Sequence, residues 1–218
     1  MAYIIQAEEQ DISFHLLQQL AAVLAETPGL THADATYRIH SSHGILALAD
    51  KAEATRISQR FTALGFQNFL RDELLHVPRP EHLNLEKPGL DGEAELVVAA
   101  RLHVVTERHV LDINPFRIRM AYPEIPIPGS SIEESTVEER DTHYCLDLFT
   151  SARHWRARPG SLPQIQAFLG ATKKPDTCLN AGARDLINGE RHLPTFGSEE
   201  DYKKYVTWLY QLRYAKAR

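Results

Sequence analysis

The chain has 218 residues, 43% of them hydrophobic, with a formal charge of −5 and an isoelectric point near 6.1. That is enough apolar material for one large core or two smaller ones, which excludes disorder as the default state. The acidic balance argues against broad affinity for nucleic acid or anionic membranes, the longest apolar runs, such as 96–100, fall far short of the roughly 20 residues of a membrane span, and two cysteines are too few for a disulfide scaffold.

Residues 2–6 read as a short strand, after which Asp11 offers an amino-terminal cap to a helix with Ile12, Leu16, Leu20 and Leu24 on one face. Pro28 and Gly29 end it. Residues 36–40 and 44–49 are expected to be two strands around a turn at Ser41 and Ser42. Asp50 and Glu53 then form a capping pattern for a second helix carrying Ile57, Phe61 and Leu64, which Gly65 terminates before a strand over 66–71. The order is strand, helix, strand, strand, helix, strand, a ferredoxin-like βαββαβ module over residues 1–77. Tyr3, Ile4, Ile5 and 45–48 suit its central strands, and 37–40 alternate as an edge strand does.

Residues 78–92 are polar and proline-containing, and read as a linker. Residues 93–218 then make a mixed α+β domain with helices at its carboxyl end. Within it, 95–105 is strand-like, and Phe116, Ile118, Met120 and Tyr122 alternate with Arg117, Arg119 and Ala121. Residues 132–141 carry five acidic side chains and are expected to be a solvated loop or helix start, followed by a strand over 143–149 and a partner strand containing Trp155. Helices are expected over 162–169 and 177–187. The clearest follows Ser198, where Glu199, Glu200 and Asp201 suit the positive end of a helix dipole and Tyr202, Tyr205, Val206 and Leu209 form a packing stripe.

Three groups of residues could carry chemistry. If Ser41 and Ser42 make a two-residue hairpin loop, His40 and His43 face each other with Cβ atoms about 5 Å apart, within reach of one metal ion. No third ligand stands at a familiar spacing, so a polar turn without metal is expected. His143, Cys145 and Asp147 recur at every second position and share one face of a strand, where a histidine could activate a thiolate. Neighbours two apart on a strand are separated by about 7 Å, too far for a direct bond between base and nucleophile without favourable rotamers. Arg153, His154, Arg156 and Arg158 surround Trp155 and offer cations and an aromatic plane to an anionic ligand, although nearby acids could neutralise them internally. His103, Glu107, His109 and Asp112 fit no metalloenzyme spacing, and the Walker, Gly-x-Gly-x-x-Gly and Gly-x-Ser-x-Gly motifs are missing from the sequence.

The amino-terminal module, "NAGARDLI" at 180–187 and "EEDYKKYVTWL" at 199–209 resemble segments of uncharacterised bacterial α+β proteins that join a small module to a larger mixed domain. The resemblance brings no catalytic motif and implies no activity. The expectation is a cytoplasmic, non-catalytic binding or regulatory protein without a cofactor, because residues 1–6 lack a basic, apolar leader and the thiols read as reduced. It would associate with a protein partner or with its own copies, and take an anionic small molecule at the Trp155 region; nucleic acid and membranes are not expected partners. The alternative is an enzyme that uses His143, Cys145 and Asp147 on an anionic substrate.

Overall fold

A computed structural model describes residues 1–9, 12–85, 94–114, 118–120, 131–172, 177–190 and 192–215; for 104–114, 118–120, 131–140, 158–160 and 172 the description is of the backbone alone. The first strand, β1 (Ala2–Gln6), leads into α1 (Phe14–Leu24) and α2 (His32–Ser41), then β2 (Ile45–Leu48), α3 (Lys51–Ala63) and β3 (Asn68–Arg71). β1 is the centre of a three-stranded antiparallel sheet of order β2-β1-β3. As expected of a central strand it is apolar on both faces, with Ile4 and Ile5 both buried.

Two expectations in this region are corrected. Ser13, not Asp11, caps α1, its side chain accepting the Leu16 N–H; Asp11 itself lies outside the described residues. Residues 36–40 are helix rather than strand, so the element order is β-α-α-β-α-β and the described residues do not form a four-stranded plait. The physical reason is visible in burial. Ala35 and Ile39, one helical turn apart, are buried against α1, while Tyr37, which a strand would place on the same face as Ile39, is 72% exposed. A capping box at Thr31 and Asp34 starts this helix.

β4 (Pro80–His82) follows, then β5 (Leu96–Asn114), β6 (Ile118–Met120), β7 (Ser131–Phe149), β8 (His154–Gly160), α4 (Leu162–Thr172), β9 (Cys178–Leu179), α5 (Ala181–Ile187), β10 (Thr195–Phe196) and α6 (Glu199–Tyr214). The strands form a seven-stranded mixed sheet of order β10-β5-β7-β8-β4, with β6 and β9 also paired to β5. Residues 78–85, read as linker, are docked: β4 runs parallel to β8, and the Leu83 N–H donates to the Arg156 carbonyl at 2.9 Å. The acidic stretch 132–141 is part of β7, not a loop or helix. Of 177–187, Cys178–Leu179 is strand and only Ala181–Ile187 is helix. Phe116, Arg117, Ala121 and Tyr122 lie outside the described residues.

α6 organises the molecule. One face of the small sheet packs on α1, α2 and α3 through Ile4, Leu46 and Leu48. Its other face, with Ile5, Tyr3, Ile45 and Phe69, meets α6, and the same helix buries Tyr202, Val206 and Leu209 against Leu96, Val98, Ala100 and Phe149 of the large sheet. The far side of the large sheet is covered by α4 and α5 through Ile165, Phe168, Leu169 and Leu186. Fully burying a side chain such as Leu209 or Val206 contributes roughly 1.5–3 kcal/mol. Gln211, buried in α6, holds the segment after β3, its amide donating to the Leu75 carbonyl and accepting the Leu75 N–H, each at 2.8 Å.

Two glycines permit close approaches. Gly44, at φ +91°, lies under the Trp208 indole, where a Cβ would come within 2.6 Å of the ring. Gly182 lets α5 sit on β5, since a Cβ there would lie 2.4 Å from the Ala99 carbonyl oxygen.

Candidate functional site

β5 and β7 pair without interruption from Leu96 opposite Phe149 to Asn114 opposite Ser131. At the rise of a strand this hairpin is about 60 Å long. β9 and β10 flank β5 only at 96–97 and 101–102, and β8 flanks β7 only from 144 to 149. Beyond those positions, among the described residues, only β6 joins the ribbon, at 111–113. Among the described residues, the remaining edges present backbone N–H and C=O groups without a strand to receive them. The two strands beyond His103 and Thr142 hold seven acidic residues and two arginines.

The candidate catalytic and ligand-binding residues converge at the base of this hairpin, in a different grouping from the one their sequence spacing suggests. Asp147 lies directly across from Arg156 on β8 and is 0% exposed. Its Oδ1 receives the Arg156 Nε at 2.6 Å and the His154 Nε2 at 2.5 Å, and its Oδ2 accepts the Tyr202 hydroxyl from α6. The other His154 nitrogen, Nδ1, faces the Pro78 carbonyl at 3.0 Å. The imidazole thus bridges the Asp147 carboxylate and the Pro78 carbonyl. The Phe149 ring stacks on it at 4.1 Å, and the Arg156 guanidinium lies over the Tyr202 ring at 5.2 Å.

Burial alone would pull the Arg156 pKa down, but the charge and hydrogen bond of Asp147 outweigh it and hold the guanidinium above its ordinary value. Burial, reinforced by the Asp147 charge, pushes the Tyr202 hydroxyl well above the usual tyrosine range. This is an ion-paired network joining β7, β8, α6 and the segment before β4. It does not line the cleft described below, and its carboxylate is fully engaged.

Cys145 is 1% exposed in the core between the large sheet and α6, and His143 is half-buried two residues before it. The expected His143, Cys145 and Asp147 cluster is thus divided, with Asp147 committed to the β8 side chains. In the basic group, Arg153 is exposed, lies over Trp155 at 4.6 Å and donates two bonds to the Glu81 carboxylate at 3.2 and 2.7 Å. Trp155 is buried on the opposite face of the sheet from His154, among Leu146, Leu148 and Phe168. Arg158 is on β8, where only the backbone is described. Of these arginines, Arg153 is therefore matched by Glu81 and Arg156 by Asp147.

His40 and His43 are not the facing pair of a hairpin, because α2 runs through Ser41. His40 is exposed at the end of that helix. His43, held at φ +47°, turns its Nε2 to Asp201 in the first turn of α6 at 3.2 Å and its ring edge to Phe196. Among the described residues, Asp185 in α5 and the exposed Glu190 and His192 after it bring three potential ligating atoms within 4.8 Å.

Both histidines border a cleft of about 590 Å³ between the small sheet, α2 and the α5–α6 pair. Glu9 stands at its wall. One carboxylate oxygen accepts the Tyr205 hydroxyl at 2.5 Å; the other accepts the Ala181 N–H at 2.8 Å and Arg184 Nη2 at 3.3 Å. Burial and the Glu9 charge raise the Tyr205 pKa far above its ordinary value. Asn180 caps α5, its Oδ1 accepting the Ala183 and Ala99 N–H groups and its amide donating to the Ala99 carbonyl and Tyr205 Oη, so that α5, β5 and α6 meet at one buried side chain. Sequence reading passed over Glu9, Arg184 and Trp208, and treated Tyr202 and Tyr205 as packing alone. Two hydroxyls in an apolar stripe were the available signal, since each needs a partner once buried.

Fold and site together define an α+β protein whose described residues form six helices and two sheets, and none of those helices is long and apolar enough to cross a membrane. No family model, no curated protein and no solved structure matches the chain.

Proposed function

We propose that this is a non-catalytic binding protein that associates with other polypeptide chains, its own copies among them, through the β5–β7 ribbon. The supporting observation is the length of ribbon that runs past the flanking strands. A two-stranded ribbon is marginal by itself in water, and a third strand added to its edge supplies main-chain hydrogen bonds at once. The excess of acidic residues on the ribbon opposes close pairing of two copies, so self-association strengthens with added salt, which screens that repulsion.

The test is sedimentation equilibrium on the full chain and on a variant in which 104–141 are replaced by an Asn-Gly turn. The expected result is reversible association of the full chain across the micromolar range, increasing with salt, and a monomeric variant with unchanged near-ultraviolet circular dichroism. Equal association of both proteins would remove the ribbon from the interface. A full chain that stays monomeric throughout would remove self-association.

A further inference from the structure

We propose that the cleft beside α2, α5 and α6 binds a small organic carboxylate with an apolar body, its carboxylate held at Arg184 and His40 and its body lying against Trp208. This site is separate from the ribbon and does not depend on the association proposed above.

The size fits. At about 590 Å³ the cleft falls within the roughly 300–1,000 Å³ typical of small-molecule sites. Its walls are mainly hydrocarbon and aromatic, supplied by Ile12 and Leu17 near and on α1, Ile39 on α2 and Trp208 on α6. An apolar ligand body is the natural content of such a space.

The chemistry of the head group follows from which hydrogen-bonding groups are already engaged. The Trp208 indole N–H donates to the Gln6 carbonyl at 2.9 Å. Ser42 Oγ donates to the Ile39 carbonyl and accepts the Gly44 N–H. The Tyr205 hydroxyl both donates to Glu9 and accepts from Asn180. Glu9 receives three donors, which counter its charge and leave little capacity for a ligand ammonium.

Among the described residues, what remains at the rim is Arg184, which can only donate, and His40, whose ring can donate from either nitrogen. Arg184 is exposed and makes one bond, to Glu9, leaving most of its five N–H groups available. His40 is exposed and has no hydrogen-bond partner among the described residues. A guanidinium and an imidazole above an apolar cleft select a ligand that brings acceptors and negative charge, and the guanidinium fork matches the two oxygens of a carboxylate.

Octanoate, octylamine and 1-octanol, titrated into the full-length protein below their aggregation concentrations, separate the alternatives by calorimetry and by the indole N–H resonances of Trp208 and Trp155. The expected result is that octanoate binds at least about tenfold more tightly than octylamine and moves the Trp208 signal while leaving Trp155, in the other core, in place. Arg184→Gln and His40→Gln each weaken octanoate by about tenfold without altering 1-octanol, and Arg184→Lys restores part of the loss. Octylamine binding as tightly as octanoate, unchanged octanoate affinity in both glutamine variants, or a Trp208 signal that does not move under a large excess of octanoate would each overturn the proposal.

Discussion

Asp147 decides between a structural and a chemical use of the β7 side chains. One carboxylate receives Arg156, His154 and Tyr202 in a space closed to water. Replacing it by Asn keeps the volume but leaves the buried Arg156 without its counter-charge, and removing one partner of a buried pair typically costs about 3–5 kcal/mol. Asp147→Asn is therefore expected to lower the unfolding free energy by that order in urea titration; a loss below about 1 kcal/mol would show the network to be solvated in solution. None of this pairing could be read from local spacing. His143, Cys145 and Asp147 do share a strand, but the partners that fix Asp147 come from seven, nine and 55 residues away, brought in by the β7–β8 register and by the packing of α6 on the large sheet.

Elements were legible where local chemistry and burial agree. α6 begins at Ser198 and α3 at Asp50, each capped by the side chain that the sequence singles out, because a cap needs only the residues beside it. α2 was misread because Tyr37-Arg38-Ile39-His40 also alternates, and alternation over four residues does not separate a strand from one turn of a helix. The Thr31 and Asp34 capping box was the discriminating signal. β7 was misread at its acidic half because charge density suggests solvent, whereas residues 132–141 are held there by ten paired positions on β5, something no local window contains.

Where α2 ends, His43 binds the start of α6, and this contact responds to acid. The Ser198 hydroxyl first, and His43 second, hold the Asp201 carboxyl below the usual aspartate range, with Lys204 adding to the effect. A lowered folded-state value means that the contribution is complete above the ordinary aspartate pKa and is lost as pH falls through the lowered one. The stability gap between the parent protein and Asp201→Asn is expected to be widest near neutrality and to close in acid. A gap that stays constant down the acidic limb of a thermal-denaturation series would contradict that assignment.

α6 is the cover of both sheets, so at the scale of the whole molecule the two are expected to fold as one unit. A fragment of residues 1–85 would leave Tyr3, Ile5, Ile45 and Phe69 facing water on the side that α6 occupies. It is expected to bind an apolar dye or to aggregate, in contrast to the full chain. In the full chain, tryptophan fluorescence, which reports α6 through Trp208 and the far core of the large sheet through Trp155, and far-ultraviolet circular dichroism, which reports the helices and both sheets, are expected to change in one coincident transition. Separated transitions would mean that each sheet holds its own core without the shared helix.

The bond from the Trp208 indole to the Gln6 carbonyl joins positions 202 residues apart. During synthesis the first strand leaves the ribosome long before the helix that shields it exists, so at ordinary elongation speeds of about 5–20 residues per second its bare side waits on the order of ten seconds or more. Folding in segments, amino end first, would leave that side uncovered, so the first strand is expected to need keeping from wrong partners until α6 arrives.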